Sequence, residues 1–340
     1  MKFLKRVTTS VMAISLCGLT SMAQAEQQPF EQWLEELRVE AREKGIDETV
    51  ISTALTGITP YPKAIKNDRA QPEFKRTFVN YSKKRLSDWR VNTGLKMQKQ
   101  HAELLEKVGK AYGVQPRFIL SFWGLETNYG NYMGKNDVIR SLATLAYDKR
   151  RASYFRKELF NALRILEQGH IKLEDMKGSW SGAMGQGQFM PSSFLRFAQD
   201  FDGDGKKDIW NNHADVFASI AFYLKHFGWS DQQTWGRQVT LPDNASSWLA
   251  QVKADKPEKG CRALRSHTAK LPLSKWNELG IRRLNTQELP QVNMTATLIT
   301  PDGVNGPAFL TYNNYRTILR YNCANSYAIT IGLLADKFKS

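Results

Sequence analysis

Cysteine is scarce in this chain, three in 340 residues, which excludes a small fold built on disulfides. There is no internal repeat or low-complexity stretch, so a solenoid or an extended tail is excluded as well. Long apolar runs are also missing. The run from Val7 to Leu19 is too short to span a bilayer. Preceded by Lys2, Lys5 and Arg6 and followed by Ala23-Gln24-Ala25, it reads as a secretory signal peptide, so the mature chain is expected to begin near Glu26. Leu16 precedes Cys17 and is too bulky for lipoprotein processing, which favours a soluble periplasmic protein over a lipid-anchored one. Once Cys17 leaves with the leader, Cys261 and Cys323 remain. An even count in an oxidising compartment predicts a disulfide, with two buried thiols as the other reading.

What is present is positive charge. Lys and Arg number 48 against 33 Asp and Glu, and removing the three basic residues of the leader leaves a net charge of about +12, spread along the chain. Such a surface adheres to polyanions. Export takes the protein away from nucleic acid and toward the acidic cell wall, so no nucleic-acid partner is expected; solubility alone is the plainer reading of the charge. A hydrophobic content of 41% suits a globular protein, and residues 26–340 suffice for one large or two modest cores.

Helical periodicity dominates from Pro29 to about Ala111, broken at Thr59-Pro60-Tyr61-Pro62. A helix carrying Leu104, Leu105, Val108 and Tyr112 ends at Gly113, and Pro116 opens the next, nearly all apolar, which is expected to run to Tyr129 and stop at Gly130. Further helices are predicted at 154–168, 212–227 and 326–338. After Trp229, Arg237–Leu241, Thr295–Thr300 and Ala308–Tyr312 read as strands. The expected fold is mainly α with a small β lobe: a helical part at about 26–110, a lysozyme-like helical core at about 111–230, a β-containing lobe at about 236–320, and a C-terminal helix packing back on the core.

Three segments carry residues suited to chemistry. Glu126 follows Ile119 by seven positions and Trp123 by three, which puts its carboxylate on the apolar face of its helix. Scarce water there favours the protonated form a general acid needs; a glutamate reaching solvent from a helix end is the plainer reading. The second segment, Ser179-Trp180-Ser181-Gly182-Ala183-Met184-Gly185-Gln186-Gly187-Gln188-Phe189-Met190-Pro191, interleaves glycine with polar and flat side chains suited to a sugar, and it lacks the Gly-Lys-Ser/Thr ending of a phosphate loop. It could equally serve as a structural turn. The third segment places Asp200, Asp202, Asp204 and Asp208 at positions one, three, five and nine of a calcium-type loop, with glycine at six and Lys206 at seven, where such loops offer a backbone carbonyl. Asn211 stands at twelve in place of glutamate, so Asp215 is expected to supply the closing ligand. A solvated acidic turn is the alternative.

Taken together and in order, Gly124-Leu125-Glu126-Thr127, the run Gly182–Ser193 and the Asp-rich loop resemble the lytic murein transglycosylase B family over roughly Trp33 to the C-terminus. The resemblance implies that Glu126 is the catalytic glutamate and that Ser179 orients the substrate acetamido group. It also implies that Gln188, Phe189, Met190, Tyr223, Tyr321, Asn322, Tyr327 and Tyr81 bind the glycan. Two departures stand out: Gln186 occupies a position where the family commonly has an aromatic, and the acidic loop is one residue longer before Asp215.

Ordinary glycoside hydrolases use two carboxylates, and the sequence offers one good candidate. The resemblance implies a route without a second: Glu126 protonates the bond between N-acetylmuramic acid and N-acetylglucosamine, then deprotonates the muramic acid C6 hydroxyl, leaving a 1,6-anhydro end. No catalytic cofactor is implied, and calcium would be structural. A muramidase using water and a non-catalytic wall-binding protein are the rival readings.

Overall fold

The computed structural model describes residues 28–70, 77–252, 254 and 260–339; the expected signal peptide, Cys17 included, lies outside them. Among the described residues six helices come first: α1 (Phe30–Glu43), α2 (Glu48–Leu55), α3 (Pro62–Ala70), α4 (Phe78–Arg85), α5 (Asp88–Gln100) and α6 (Ala102–Tyr112). Gly113, left-handed at φ 66°, ends α6 as its lack of a Cβ allows. Next comes α7 (Pro116–Thr127), with proline in its first turn and every residue from Phe118 to Leu125 buried. It stops two residues short of the expected end. Asn128 and Tyr129 both turn left-handed, at φ 53° and 60°, and a short asparagine side chain tolerates that conformation better than most.

A two-stranded ladder of β1 (Asn136–Asp137) and β2 (Lys177–Gly178) encloses α8 (Val138–Tyr147) and α9 (Ala152–Glu167). The glycine-rich run follows and leads into α10 (Pro191–Phe197), then the acidic loop and α11 (His213–His226), capped by the Asn212 side chain accepting from the Ala214 N–H. Helices at Ala245–Leu249, Leu273–Glu278 and Asn313–Tyr321 were not expected from the sequence, and neither were α8 and α10. The apolar residues of α8 are interrupted by Arg140, Ser141 and Thr144, and α10 is only seven residues long.

The β lobe comprises β3 (Gly236–Thr240), α12 (Ala245–Leu249), β4 (Leu271–Pro272), α13 (Leu273–Glu278), β5 (Arg282–Arg283), β6 (Thr295–Ile299) and β7 (Ala308–Thr311). Its antiparallel sheet has the order β4-β6-β7-β3-β5. The paired residues Leu298 and Leu310 enter a small core around Trp276, whereas their neighbours Ile299 and Phe309 join the main helical core. Alternation along the strands therefore gives the sheet two apolar faces and fastens the lobe to the helices. Among the described residues no helix is long and apolar enough to cross a membrane.

The last two helices, α14 (Asn313–Tyr321) and α15 (Asn325–Asp336), return the chain to α7. Ser121 of α7 donates to the Ile331 carbonyl at 2.7 Å. Asp336 receives Arg117 at 2.9 Å and the Trp235 indole at 3.0 Å. Gly332 faces Trp235 so closely that an added methyl would lie 2.1 Å from its ring. Gly332→Ala should therefore push α15 off its seat and lower stability by about 2 kcal/mol; thermal unfolding followed by circular dichroism will show the lower midpoint.

Candidate active site

Glu126 occupies the last turn of α7, half-buried between the buried Leu125 and Thr127. Its Oε1 accepts a 2.5 Å hydrogen bond from the Tyr327 hydroxyl, which arrives from the first turns of α15. Tyr327 is itself buried, and burial, with the Glu126 charge adding to it, pushes its phenol well above the ordinary range. It therefore stays protonated and donates throughout neutral pH.

Beside this pair lies a cluster of rings. Tyr321, at the end of α14, donates to the Gly187 carbonyl at 2.5 Å and packs 4.7 Å from both Phe122 and Tyr223. Burial raises its phenol too, and the Glu126 charge acts in the same direction. Tyr223 donates to the Arg320 carbonyl at 2.6 Å, and burial pushes its phenol up to about 12. Tyr81, on α4, lies beneath the Arg85 guanidinium, 5.3 Å from its ring centre, and is near enough to Tyr327 to bear on its ionisation.

The glycine-rich run folds back on itself through bridges between Gly178 and Met184 and between Met184 and Phe189. Ser179 Oγ accepts from the Ala183 N–H at 3.0 Å and the Ser181 N–H at 3.3 Å, which fixes its direction. Gln188, left-handed at φ 51°, donates its amide to the Met133 and Gly185 carbonyls, both at 3.0 Å. Met190 is half-buried and precedes α10, while Asn322 is exposed at the end of α14. Phe189 was expected to contact the glycan. It is 3% exposed and packs behind Tyr223 and Tyr321, so it supports the site from within.

In the acidic loop, Asp200, Asp202 and Asp204 bring carboxylate oxygens within 4.8 Å of one another at the surface. Asp200 also accepts from the N–H groups of Gly203, Asp204 and Gly205, which curls the loop around it. Lys206 continues the turn, its N–H donating to Asp204 Oδ1. Asp215 is not part of the carboxylate cluster, contrary to expectation. It is fully buried on α11, its two oxygens accepting from the N–H groups of Phe201 and Asp208. Burial raises its carboxyl to about 6 against the opposing pull of those two N–H groups.

Residues 29–336 match the family described as Transglycosylase SLT domain. The chain belongs to the lytic murein transglycosylase B family. It is 31% identical over 261 residues to membrane-bound lytic murein transglycosylase B of Escherichia coli, an alignment covering 76% of this chain and 66% of that relative. SltB3 of Pseudomonas aeruginosa, solved in complex with NAG-anhNAM-pentapeptide, superposes with a TM-score of 0.84 at 41% identity over 92% of this chain and 80% of its own. Slt35 of Escherichia coli in complex with calcium gives 0.72 at 26% identity, covering 91% of each chain.

Against this family background, the residues around Gln186 acquire a role that the sequence did not reveal. Gln186 is buried; its Oε1 accepts from the Trp123 indole at 2.6 Å and its Nε2 donates to the Trp210 carbonyl at 2.7 Å. Thr127 donates to the Gln186 carbonyl at 2.9 Å, so the glutamate-bearing helix and the glycine-rich run are joined twice. Arg90 of α5, also buried, donates to the carbonyls of Gly124 and Arg85 and to Asn128 Oδ1, securing the end of α7. Nothing near Arg90 in sequence points to this hold.

Gln186→Leu would strand the Trp123 donor and the Trp210 acceptor in the interior. It should cost about 3 kcal/mol, read as a lower urea midpoint with unchanged slope.

Proposed function

We propose that this chain is a lytic transglycosylase that cleaves the β-1,4 bond between N-acetylmuramic acid and N-acetylglucosamine in peptidoglycan, leaving 1,6-anhydromuramic acid ends. The observation that carries the reading is a half-buried carboxyl, Glu126, gripped by a phenol that remains a donor. The Glu126 charge also acts on Tyr321, which packs against Phe122 and Tyr223. Its family relative SltB3 was solved with an anhydro-sugar ligand, which supports the same outcome here.

In the first step, protonated Glu126 gives its proton to the glycosidic oxygen, the bond from C1 to that oxygen breaks, and the N-acetylglucosamine side leaves as an alcohol. The substrate's own acetamido group steadies the positive C1, and Ser179 orients that group. Tyr327 donates to the carboxylate now present and holds it in place. In the second step Glu126 takes the proton of the muramic acid C6 hydroxyl as that oxygen bonds to C1. The glutamate ends protonated again and no water is consumed. Gln188, Met190, Asn322, Tyr81, Tyr223 and Tyr321 border the glycan, with Phe189 supporting Tyr223 and Tyr321 from behind. Residues 26–340 act as one catalytic unit, with residues 1–25 directing it to the periplasm, where the Cys261–Cys323 disulfide is stable.

Mass spectrometry of products released from purified peptidoglycan tests the chemistry. The native protein should release 1,6-anhydromuropeptides and Glu126→Gln none, while reducing ends from the native protein would make it a muramidase. No products at all would leave only a wall-binding role.

We also assign a structural calcium ion to the acidic loop. Three clustered carboxylates are hard oxygen donors suited to it, and Slt35 has been solved with that metal. The Asp200, Asp202 and Asp204 side chains and the Lys206 carbonyl would hold it, and it would brace the turn into α11. Calcium at about a hundred times its Kd should stabilise the fold by about 2.7 kcal/mol, seen as a rise in Tm. Asp202→Asn/Asp204→Asn should abolish that rise while keeping peptidoglycan cleavage.

A further inference from the structure

The Tyr327–Glu126 pair depends on where α15 begins, and a polar network in the β lobe grips that point. Asn325, the first residue of α15, has its side chain held from four directions. Its Oδ1 accepts from the Tyr315 hydroxyl at 2.9 Å and faces His267 Nε2 at 3.0 Å. Its Nδ2 donates to the Ala263 carbonyl at 2.9 Å and to Ser266 Oγ at 2.8 Å. The Cys261–Cys323 disulfide closes the same corner two residues before Asn325.

The proton order in this network follows from its chemistry. Asn325 Oδ1 can only accept, so His267 carries its proton on Nε2. The other ring nitrogen then accepts from Thr297 Oγ1 at 3.0 Å, and Thr297 in turn accepts from Thr311 Oγ1 at 2.8 Å. Burial holds the imidazole below its ordinary range, with the Arg316 charge acting the same way against the Asn325 hydrogen bond. The neutral ring gives every donor an acceptor along the line Thr311, Thr297, His267, Asn325.

His267 is 6% exposed, and an apolar side chain of similar volume could fill its place without any polar desolvation. A buried polar network of this kind fixes position more than it adds stability. We propose that His267, working through Asn325, is a positioning residue that sets the approach of Tyr327 to Glu126. The inference rests on the proposed transglycosylase activity and extends it to a residue in the β lobe.

The test is a double-mutant cycle, measured as the rate of anhydro-end formation from soluble uncross-linked glycan strands. His267→Leu should lower kcat by about five- to tenfold with KM within about twofold, and His267→Gln, which returns a donor at the Nε2 position, should recover most of the rate. In the Tyr327→Phe background His267→Leu should have no further effect. A loss that multiplies with that of Tyr327→Phe, an unchanged kcat in His267→Leu, or a Tyr327→Phe variant with native kcat would each overturn the proposal. Should leucine at 267 abolish the native circular dichroism spectrum, Thr297→Val takes its place in the cycle: a fall in kcat absent from the Tyr327→Phe background supports the coupling, and an equal fall in both overturns it. Native protein that forms no anhydro ends removes the activity and this inference together. Where the native protein forms anhydro ends and Glu126→Gln abolishes them, an additive cycle removes the inference alone.

Discussion

The arrangement of the site depends on the packing of α15 against α7, because that contact places a phenol on the Glu126 carboxylate. The two side chains are 201 positions apart in sequence and meet at 2.5 Å. Hydrogen bonds from Ser121 to the Ile331 carbonyl and from Arg117 to Asp336 join the two helices directly, and further contacts secure each of them. Arg90 and Thr127 hold the end of α7, while Asp336 at one end of α15 and Asn325 at the other tie that helix to the Trp235 region and the β lobe. Gly332 removes the side chain that would keep Trp235 at a distance. The hydrogen bond at the site thus depends on close apolar packing some turns away.

The same division of labour runs through the glycine-rich segment. Its apolar members, Met184 and Phe189, are buried and provide the hold that an otherwise pliable stretch needs. Its polar members are held by backbone groups: Ser179 by two N–H donors and Gln188 by two carbonyls. Gln186 belongs to neither set. Its amide bonds both the Trp123 indole and the Trp210 backbone, which makes the junction directional.

The β lobe is fastened both to the helical core and to the start of α15. Its sheet offers Ile299 and Phe309 to the helical core and Leu298 and Leu310 to its own, so the lobe cannot shift without disturbing the helices. Through His267 and Asn325 it also reaches the start of α15. The acidic loop works similarly on the other side. Asp215, fully buried, holds two loop N–H groups from α11, which leaves the exposed aspartates arranged around Asp200.

By itself the sequence determined what depends on near neighbours. The α7 periodicity and Pro116 made the helix legible, Asp-x-Asp-x-Asp-Gly marked the turn, and alternating residues at 295–300 and 308–312 marked strands, because these signals lie within a few residues of what they specify. The order of Glu126, the glycine-rich run and the acidic loop also carried the family. Only the tertiary structure decided which tyrosine reaches Glu126, that Phe189 lies behind the site, that Asp215 braces the backbone, and that α7 ends at Thr127 under the hold of Arg90. Each of those outcomes is a contact between segments far apart in the chain, set by how whole helices pack, and no local pattern of residue types encodes it.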